Sequence, residues 1–160
     1  MNRRRIWKLV CIPVVGLVFL LGLLRPWEQD APEREKGGIV LDADAVSWEG
    51  PQAPPDQEGI RIPGYGPLLF PAGEERVSLT LYNPEENDCY FVFSLYLDEE
   101  TEPLYTSDYV QPGMAIQEVT LSRGLEAGEY ALYIKMETYD PETQTAGNGA
   151  SVKTALTVRQ

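Results

Sequence analysis

The sequence predicts an all-β fold, a two-sheet sandwich over residues 60–160, preceded by one amino-terminal membrane helix. Three observations lead to this prediction. From residue 60 onward, short runs of alternating apolar and polar residues are separated by turn residues, which is typical of β domains. No segment of that region has the periodicity of an amphipathic helix. Residues 9–24, in contrast, form an uncharged apolar run near the amino terminus.

The apolar run of residues 9–24, LVCIPVVGLVFLLGLL, predicts a membrane-spanning helix that stays attached to the protein. The run alone is short, since a spanning helix needs about 20 residues. Trp7 and Trp27 flank it at a separation of about 30 Å along a helix, which matches the hydrocarbon thickness and places a tryptophan at each interface. Arg3–Arg5 precede the run, and positive residues stay cytoplasmic. We therefore expect a single-pass protein of the cell membrane, with a cytoplasmic amino terminus and an extracytoplasmic carboxy-terminal domain.

A cleaved signal peptide is the alternative interpretation of the same segment. The basic start and the apolar core fit it, but the run is followed by RPWEQDAPERE, which lacks a small-residue cleavage site. A lipoprotein signal would need a cysteine after the apolar run, whereas Cys11 lies near its start. A retained anchor is therefore favoured, and cleavage in some fraction of the molecules is left open.

Charge is distributed unevenly along the chain. Residues 1–27 carry five Lys and Arg and no acid, whereas residues 28–160 carry eight Lys and Arg against all twenty-five Asp and Glu, a net charge of −17. So acidic a region disfavours nucleic acid as a partner, and it disfavours close approach to anionic lipid or wall polymer. A basic or neutral partner is expected instead.

Residues 28–59 are expected to form an acidic linker, because proline, glycine and like charges keep a chain extended. Within it lies IVLDADAVSW, residues 39–48, which is compatible with a short strand or with a segment docked on the domain. The predicted organisation is therefore a cytoplasmic stub and anchor at 1–27, the linker at 28–59 and an extracytoplasmic β-sandwich at 60–160.

The two cysteines cannot form a disulfide within the domain, because Cys11 lies in the predicted span and only Cys89 lies outside it. Disulfides are common in secreted eukaryotic domains of this size, so their absence better suits the exterior of a Gram-positive bacterium. Cys89 falls on an apolar alternation, which predicts a buried small hydrophobe in preference to a reactive thiol.

Each predicted strand depends on its own alternation of residue types. Arg76–Tyr82 alternates valine and leucine with polar residues, and Cys89–Leu97 places its cysteine, phenylalanines and leucines on one face. Ala115–Leu121 alternates except at Ile116, a break that a β-bulge near Gln117–Glu118 explains. The seven predicted strands are, in order, Ile60–Ile62, Arg76–Tyr82, Cys89–Leu97, Leu104–Val110, Ala115–Leu121, Glu129–Tyr139 and Val152–Val158.

Seven short strands in about a hundred residues predict a Greek-key sandwich of the immunoglobulin or fibronectin type III kind. The stretch LEAGEY, residues 125–130, supports this prediction, because it resembles the tyrosine corner of such sandwiches at the entrance to the sixth strand. In a tyrosine corner the ring, here that of Tyr130, packs inward and its hydroxyl bonds nearby backbone.

The chain as a whole resembles a loose class of membrane-anchored single-sandwich proteins of Gram-positive bacteria. The resemblance covers the anchor, the acidic linker and the sandwich, and it is carried by NPEENDCYFVFSL, LEAGEY and the terminal NGASVKTALTV. It implies an envelope location and a binding or structural role, and it assigns no site residue.

Catalytic chemistry has little support in the sequence. Histidine is absent, which removes His-based triads and imidazole metal sites. The acids cluster in predicted turns, at residues 85–88 and 98–102, where solvated carboxylates are expected. Calcium binding is a more plausible role for these acids than catalysis. However, the two clusters fall at opposite ends of the third strand, and neither has the EF-hand pattern. We therefore predict no enzyme activity, no metal and no cofactor.

The candidate binding residues are four tyrosines on one sheet face. In such a sandwich the third and sixth strands are antiparallel neighbours. Because their other faces are plainly apolar, period-two alternation sends Tyr90 and Tyr96 of the third strand, and Tyr133 and Tyr139 of the sixth, to the outer face. Tyrosine favours interfaces because it is apolar in body and polar at its tip. Tyrosine is also a good strand former, and the linker with Trp48 could cover this face.

Two functions remain compatible with these features. The domain is expected to bind a protein or a glycan at the cell surface through the tyrosine-rich face or the loops. Alternatively, it is a structural or assembly subunit of a membrane-spanning envelope complex, in which case the linker or another chain covers the tyrosines. A deep pocket lined by convergent acidic side chains would instead indicate an enzyme.

Overall fold

Eight strands and no helix form in the part of the chain that the computed structural model describes, which is residues 38–50, 59–98 and 100–160. The predicted anchor at 9–24 lies outside these ranges. No helix within them is long and apolar enough to span a membrane. The strands are β1 Ala45–Ser47, β2 Leu68–Pro71, β3 Arg76–Tyr82, β4 Tyr90–Leu97, β5 Tyr105–Thr106, β6 Met114–Thr120, β7 Gly128–Tyr139 and β8 Ala150–Arg159.

The strands form two sheets. One sheet has three strands in the order β1-β6-β3, and the other has five in the order β2-β8-β7-β4-β5. All neighbours are antiparallel except β2 and β8, which run parallel. The predicted all-β class with two sheets is confirmed for these residues.

The core forms between the sheets because alternate residues of each strand are apolar. In β3 the buried residues are Val77, Leu79 and Leu81, while their neighbours face outward. Strands β4 and β7 contribute the largest buried side chains on the facing sheet, among them Phe91, Phe93, Leu95, Leu132, Ile134 and Met136. Full burial of such a side chain stabilises the fold by about 1.5–3 kcal/mol, so these strands contribute substantially to the hydrophobic stabilisation.

The predicted strand Ile60–Ile62 is not a strand. The side-chain amide of Asn87 takes the place of a neighbouring strand: its Oδ1 accepts from the Arg61 N–H at 2.7 Å, and its Nδ2 donates to the Arg61 carbonyl at 3.0 Å. Pro63 follows and has no N–H to give to a ladder. A strand instead forms at Leu68–Pro71, where the alternation was too short to be recognised in the sequence.

A register shift lies at the level where a bulge was predicted, near Gln117–Glu118, but the strand predicted to carry the bulge is wrong. The pairing of β3 with β6 shifts by one residue between Ser78 and Leu81, which lie opposite Glu118 and Ile116. The extra residue belongs to β3 and not to β6. Ala115 and Ile116 are adjacent in β6 and therefore point to opposite faces of the small sheet, and both are buried.

The tyrosine corner is present at the start of β7. The hydroxyl of Tyr130 donates to the carbonyl of Glu126 at 3.0 Å, and its ring packs against the main core. Gly128 lies beneath the ring, where a Cβ would approach the Tyr130 hydroxyl to 3.3 Å. Leu125 is buried, and its carbonyl accepts from Gly73 N–H at 2.8 Å, so the corner ties the β6–β7 connection to the end of β2.

Replacing Tyr130 by phenylalanine should keep the ring in place and remove only this hydrogen bond. Because the bond is partly open to solvent, we expect a loss of about 1 kcal/mol in the free energy of unfolding. Chemical denaturation of the variant and of the wild type measures it. Thr157→Val, which removes an exposed hydroxyl bonded to Glu129, is a matched control expected to cost less. Equal losses would mean that the Tyr130 bond does not hold the corner.

Two buried asparagines hold one end of the sandwich together. Asn83 has no exposed surface; its Nδ2 donates to the carbonyls of Cys89 at 2.9 Å and Val110 at 3.0 Å. Its Oδ1 accepts from Asn87 Nδ2 at 2.8 Å, and Asn87 in turn holds Arg61. The stretch NPEEND, expected to be only a turn, therefore joins three chain segments.

Candidate binding surface

The four predicted tyrosines lie on the outer face of the five-stranded sheet, as two pairs that face each other directly. Strands β4 and β7 are antiparallel neighbours, with Tyr90 opposite Tyr139 and Tyr96 opposite Tyr133. Their predicted placement on adjacent strands is confirmed, and their role in binding stays a prediction. The two pairs are six residues apart along each strand, about 20 Å at the rise of a β-strand.

The first pair belongs to a small second core. Tyr139 is only 6% exposed, and it packs with the buried Val92 and Tyr109, with Ile39 and Tyr90 against them. The rings of Tyr109 and Tyr139 meet edge to face with their centroids 5.1 Å apart. The Tyr139 hydroxyl donates to Glu137 Oε2 at 3.0 Å. We call this group, Tyr90, Val92, Tyr109 and Tyr139 under Ile39, the covered half of the face.

Residues 39–50, which we call the strap, provide that cover. Tyr109 donates its N–H to the carbonyl of Val40 at 3.1 Å, and Asp42 donates to the carbonyl of Tyr109 at 2.9 Å. The side chain of Asp42 also accepts from the Asp108 N–H at 2.9 Å. The strap thus runs beside Tyr109 in parallel before it leaves the five-stranded sheet.

The strap then joins the other sheet. Ala45–Ser47 pairs with β6, and the N–H of Trp48 donates to the carbonyl of Gly113 at 2.9 Å. The Trp48 ring stacks on Tyr82, the residue of β3 opposite Ala115, with centroids 5.4 Å apart. Of the two interpretations of residues 39–48, a short strand and a docked segment, the structure shows both in succession.

Replacing Trp48 by alanine should loosen the strap without disturbing the main core. Loss of the stack on Tyr82 should cost about 1.5 kcal/mol of unfolding free energy. The measurement is urea denaturation of the full chain in detergent. Val46→Ala, in the preceding strand β1 and with an exposed side chain, is the control and should change stability little. A Trp48 variant as stable as this control would show that the stack does not hold the strap.

The second pair, Tyr96 and Tyr133, is half-buried, and a lysine side chain lies over each ring. The Lys135 Nζ lies 4.3 Å from the centroid of the Tyr96 ring, and the Lys153 Nζ lies 5.3 Å from that of Tyr133. Lys153 is the residue of β8 directly opposite Tyr133, so Tyr96, Tyr133 and Lys153 form one row across three strands. We call these three residues and Lys135 the open half.

Burial raises the pKa of the Tyr96 hydroxyl, and the nearby carboxylates of Glu137 and Glu102 raise it further. The phenol is therefore neutral at neutral pH and able to donate a hydrogen bond to a partner. Cations over the rings and carboxylates beside them give the open half a mixed charge, in contrast to the strongly acidic chain as a whole.

Small residues continue the open half along β7 and β8, in the direction of the start of β7. Ala131 and Ala155 lie opposite each other in the next outward-facing row, and Glu129 and Thr157 follow in the row beyond. Leu69, opposite Thr157 on the edge strand β2, is 54% exposed. The two alanines therefore form a low strip between the Tyr133 row and Leu69, into which a partner's side chains could pack.

Nothing in the described part of the chain has the arrangement of a metal site, since it holds no group of three or more potential ligands. An open pocket of about 470 Å³ lies between the β3–β4 and β7–β8 connections, beside Asp88, Cys89, Tyr139 and Asp140. Burial raises the pKa of the Cys89 thiol and Asp88 raises it further, so the thiol stays protonated. The Asp140 carboxylate accepts hydrogen bonds from Glu142 and Thr143 within its own turn.

Sequence reasoning missed three residues of this surface. Tyr109 and Ile39 lie outside the two strands from which the face was predicted. The bridge between Val110 and Phe91 places Tyr109 beside β4, and the path of the strap brings Ile39 onto the face. Lys153 could have been found, since period-two alternation from the buried Thr154 and Leu156 sends it outward on the strand next to β7. Neither a model of a known protein family nor any curated protein matches this chain.

Proposed function

We propose that this chain is a single-pass protein of the cell envelope whose β-sandwich, without catalytic activity, binds a partner protein through the open half. The observation that carries the proposal is the row Tyr96–Tyr133–Lys153, half-exposed on a rigid sheet whose other end is already covered by the strap. Tyrosines on a preformed surface give large contact area at low entropic cost, which is typical of binding surfaces.

The envelope location is supported by the sequence of the amino-terminal part, with the apolar run 9–24, Arg3–Arg5 and the flanking tryptophans. In this proposal the amino terminus is cytoplasmic and the sandwich is outside the cell, on the surface of a Gram-positive bacterium. The chain's resemblance to membrane-anchored single-sandwich proteins of such bacteria supports the same location.

The finer architecture that we propose is an immunoglobulin-like Greek key of seven strands with the strap added. It is supported by the pairing of β4 with β7, by the parallel pairing of β2 with β8, and by the bond from Tyr130 to Glu126. In such sandwiches the sheet that contains β4 and β7 commonly presents its outer face to partners.

A protein partner is favoured over a glycan because lysine side chains lie over the rings of Tyr96 and Tyr133. A sugar would stack on a free aromatic face, whereas an ammonium group already lies over each ring at 4.3 and 5.3 Å. The same lysines, with Glu137 and Glu102 beside Tyr96, offer the paired charges that fix the register of protein interfaces. We therefore propose a folded protein partner that contacts rings, lysines and the alanine strip together.

The proposal is tested first by a photo-crosslinking residue in place of Tyr133 in the full chain, in the cells that produce it. The control places the same residue at Glu118, exposed on the other sheet. We expect one specific crosslinked protein at position 133 and none at 118. The purified protein should then bind the wild type about 30-fold more tightly than Tyr96→Ser/Tyr133→Ser, the loss of about 2 kcal/mol typical of an anchor. Equal crosslinking at both positions, or unchanged affinity of the double variant, contradicts the proposal.

The strap favours a second candidate function, that of an assembly subunit in a membrane-spanning envelope complex. Its cover over Tyr139 shows that part of this face serves the fold. If the double variant Tyr96→Ser/Tyr133→Ser had a much lower melting temperature as well as a lower affinity, the open half would also be structural. The assembly function would then be preferred.

A further inference from the structure

We propose that the free edge of β1 is a second interaction surface, and that it takes an extended segment of a partner protein in which apolar and basic residues alternate. This surface is separate from the open half, because β1 belongs to the other sheet. It would allow one chain to contact two partners, or two parts of one partner.

The first observation is a concentration of exposed apolar side chains on the strap. Val40 is 60% exposed, Leu41 44% and Val46 47%. Among the described residues only one other large apolar side chain, Leu69, is comparably exposed. Single exposed apolar residues are ordinary, but three within seven positions of one segment, bordered by charge, are typical of an interaction site.

The second observation is the backbone of the edge itself. Strand β1 pairs with β6 on one side, and no described strand pairs with its other side. The N–H of Trp48 points toward β6, where it bonds the carbonyl of Gly113. Because successive residues of a strand point their N–H and C=O in opposite directions, Ser47 presents both groups to the free edge.

Of the other three edge strands, β3, β2 and β5, two carry a device against strand addition. The edge strand β5 has only two residues, and the edge strand β2 ends in Pro71. Short length and proline are the usual devices against strand addition. Strand β1 is also short, with three residues, but it has neither a proline nor a lysine, and its centre is the exposed Val46. The edge strand β3 is longer but has no exposed large apolar side chain. Strand addition at such an edge is a common mode of peptide recognition.

Charge decides which segment fits. Asp42, Asp44 and Glu49 border the apolar residues, and residues 38–50 contain no Lys or Arg. The side chain of Asp42 bonds the N–H of Asp108, which adds a fourth carboxylate beside the strap. A second copy of this chain would bring two such sets of carboxylates together across the edge, which opposes self-association. A partner segment with lysine or arginine between its apolar residues is complementary instead.

The test uses a fluorescein-labelled peptide of alternating lysine and valine, titrated with the full chain in detergent and followed by fluorescence anisotropy. We expect saturable binding that Val46→Lys weakens at least tenfold. The matched control is Leu69→Lys, which introduces the same charge at a similarly exposed apolar residue of another edge strand, and it should weaken binding only slightly. A peptide of equal charge with proline in place of valine, which cannot form the ladder, should bind at least tenfold more weakly.

Several results would overturn the proposal. These are the absence of peptide binding, equal weakening by Val46→Lys and Leu69→Lys, and equal binding of the proline peptide, which would show attraction by charge alone. A dimer of the wild type that Val46→Lys dissociates would identify a second copy as the occupant, against the proposal. If Val46→Lys itself fails to fold, Ser47→Pro, which removes the N–H that faces the free edge, replaces it with the same expectation. Since Tyr96→Ser/Tyr133→Ser should leave peptide binding unchanged, this test and that of the open half can fail separately.

Discussion

Asn83→Ala should lower the free energy of unfolding by about 3 kcal/mol, which makes it one of the two most damaging single substitutions we expect. The asparagine is fully buried, and its amide serves three partners: the carbonyls of Cys89 and Val110, and the amide of Asn87. Alanine supplies none of these bonds and leaves a space where the amide was. Burying polar groups without a partner is costly because no water reaches them.

Thermal unfolding of the full chain measures this effect, and about 3 kcal/mol corresponds to a decrease in melting temperature of about 10 °C for a domain of this size. Asn148→Ala is the control, since Asn148 is exposed and its carbonyl, which accepts from Thr138 Oγ1, is unchanged by the substitution. A melting temperature of Asn83→Ala close to that of the control would show that the asparagine network does not hold this end of the sandwich.

Tyr139→Ala should cost about 3 kcal/mol of unfolding free energy, whereas Tyr133→Ala should cost about 1 kcal/mol or less. Both tyrosines lie on the same face of β7, so the difference arises from what covers them. The Tyr139 ring is packed edge to face on Tyr109 beneath Ile39, and its removal opens a cavity in the covered half. The Tyr133 ring is half-exposed, and the loss of its contact with Lys153 is small in water.

Denaturant titration of the two variants side by side measures the difference. Because the two substitutions remove the same atoms from the same strand, their intrinsic effects on β propensity cancel. If both variants lose the same amount, the division of the face into a covered and an open half is wrong.

The fold could be predicted wherever local alternation decides it. Arg76–Tyr82 was predicted with the bounds that it has, and the pairing of β4 with β7 followed from the alternation of both strands. The prediction of a strand at Ile60–Ile62 was wrong because the backbone of Arg61 forms its hydrogen bonds with the side chain of Asn87, twenty-six residues away. No local pattern predicts such a contact, because the sequence does not distinguish an asparagine that is buried from one that lies in an exposed turn.

The candidate site was predictable in part for the same reason. Alternation placed four tyrosines on one face, and the register pairs them as expected. Which of them are covered depends on the path of the strap, which brings Ile39 against the cluster of Val92, Tyr109 and Tyr139, far away along the chain. The acidic, proline-rich flanks of IVLDADAVSW suggested a linker, and its pairing with β6 becomes visible only in three dimensions.

The most direct test of the proposed binding function is a paired measurement of affinity and melting temperature for four serine variants, Tyr90→Ser, Tyr96→Ser, Tyr133→Ser and Tyr139→Ser. The ligand is the protein crosslinked at position 133. We predict that Tyr96→Ser and Tyr133→Ser each lower the affinity at least tenfold and leave the melting temperature nearly constant. Tyr139→Ser should lower the melting temperature, and Tyr90→Ser should lower it less. The folded fraction of these two variants should bind the ligand with unchanged affinity. If all four variants changed affinity alike, or if the Tyr96 and Tyr133 variants bound as the wild type does, the open half would not be the binding surface.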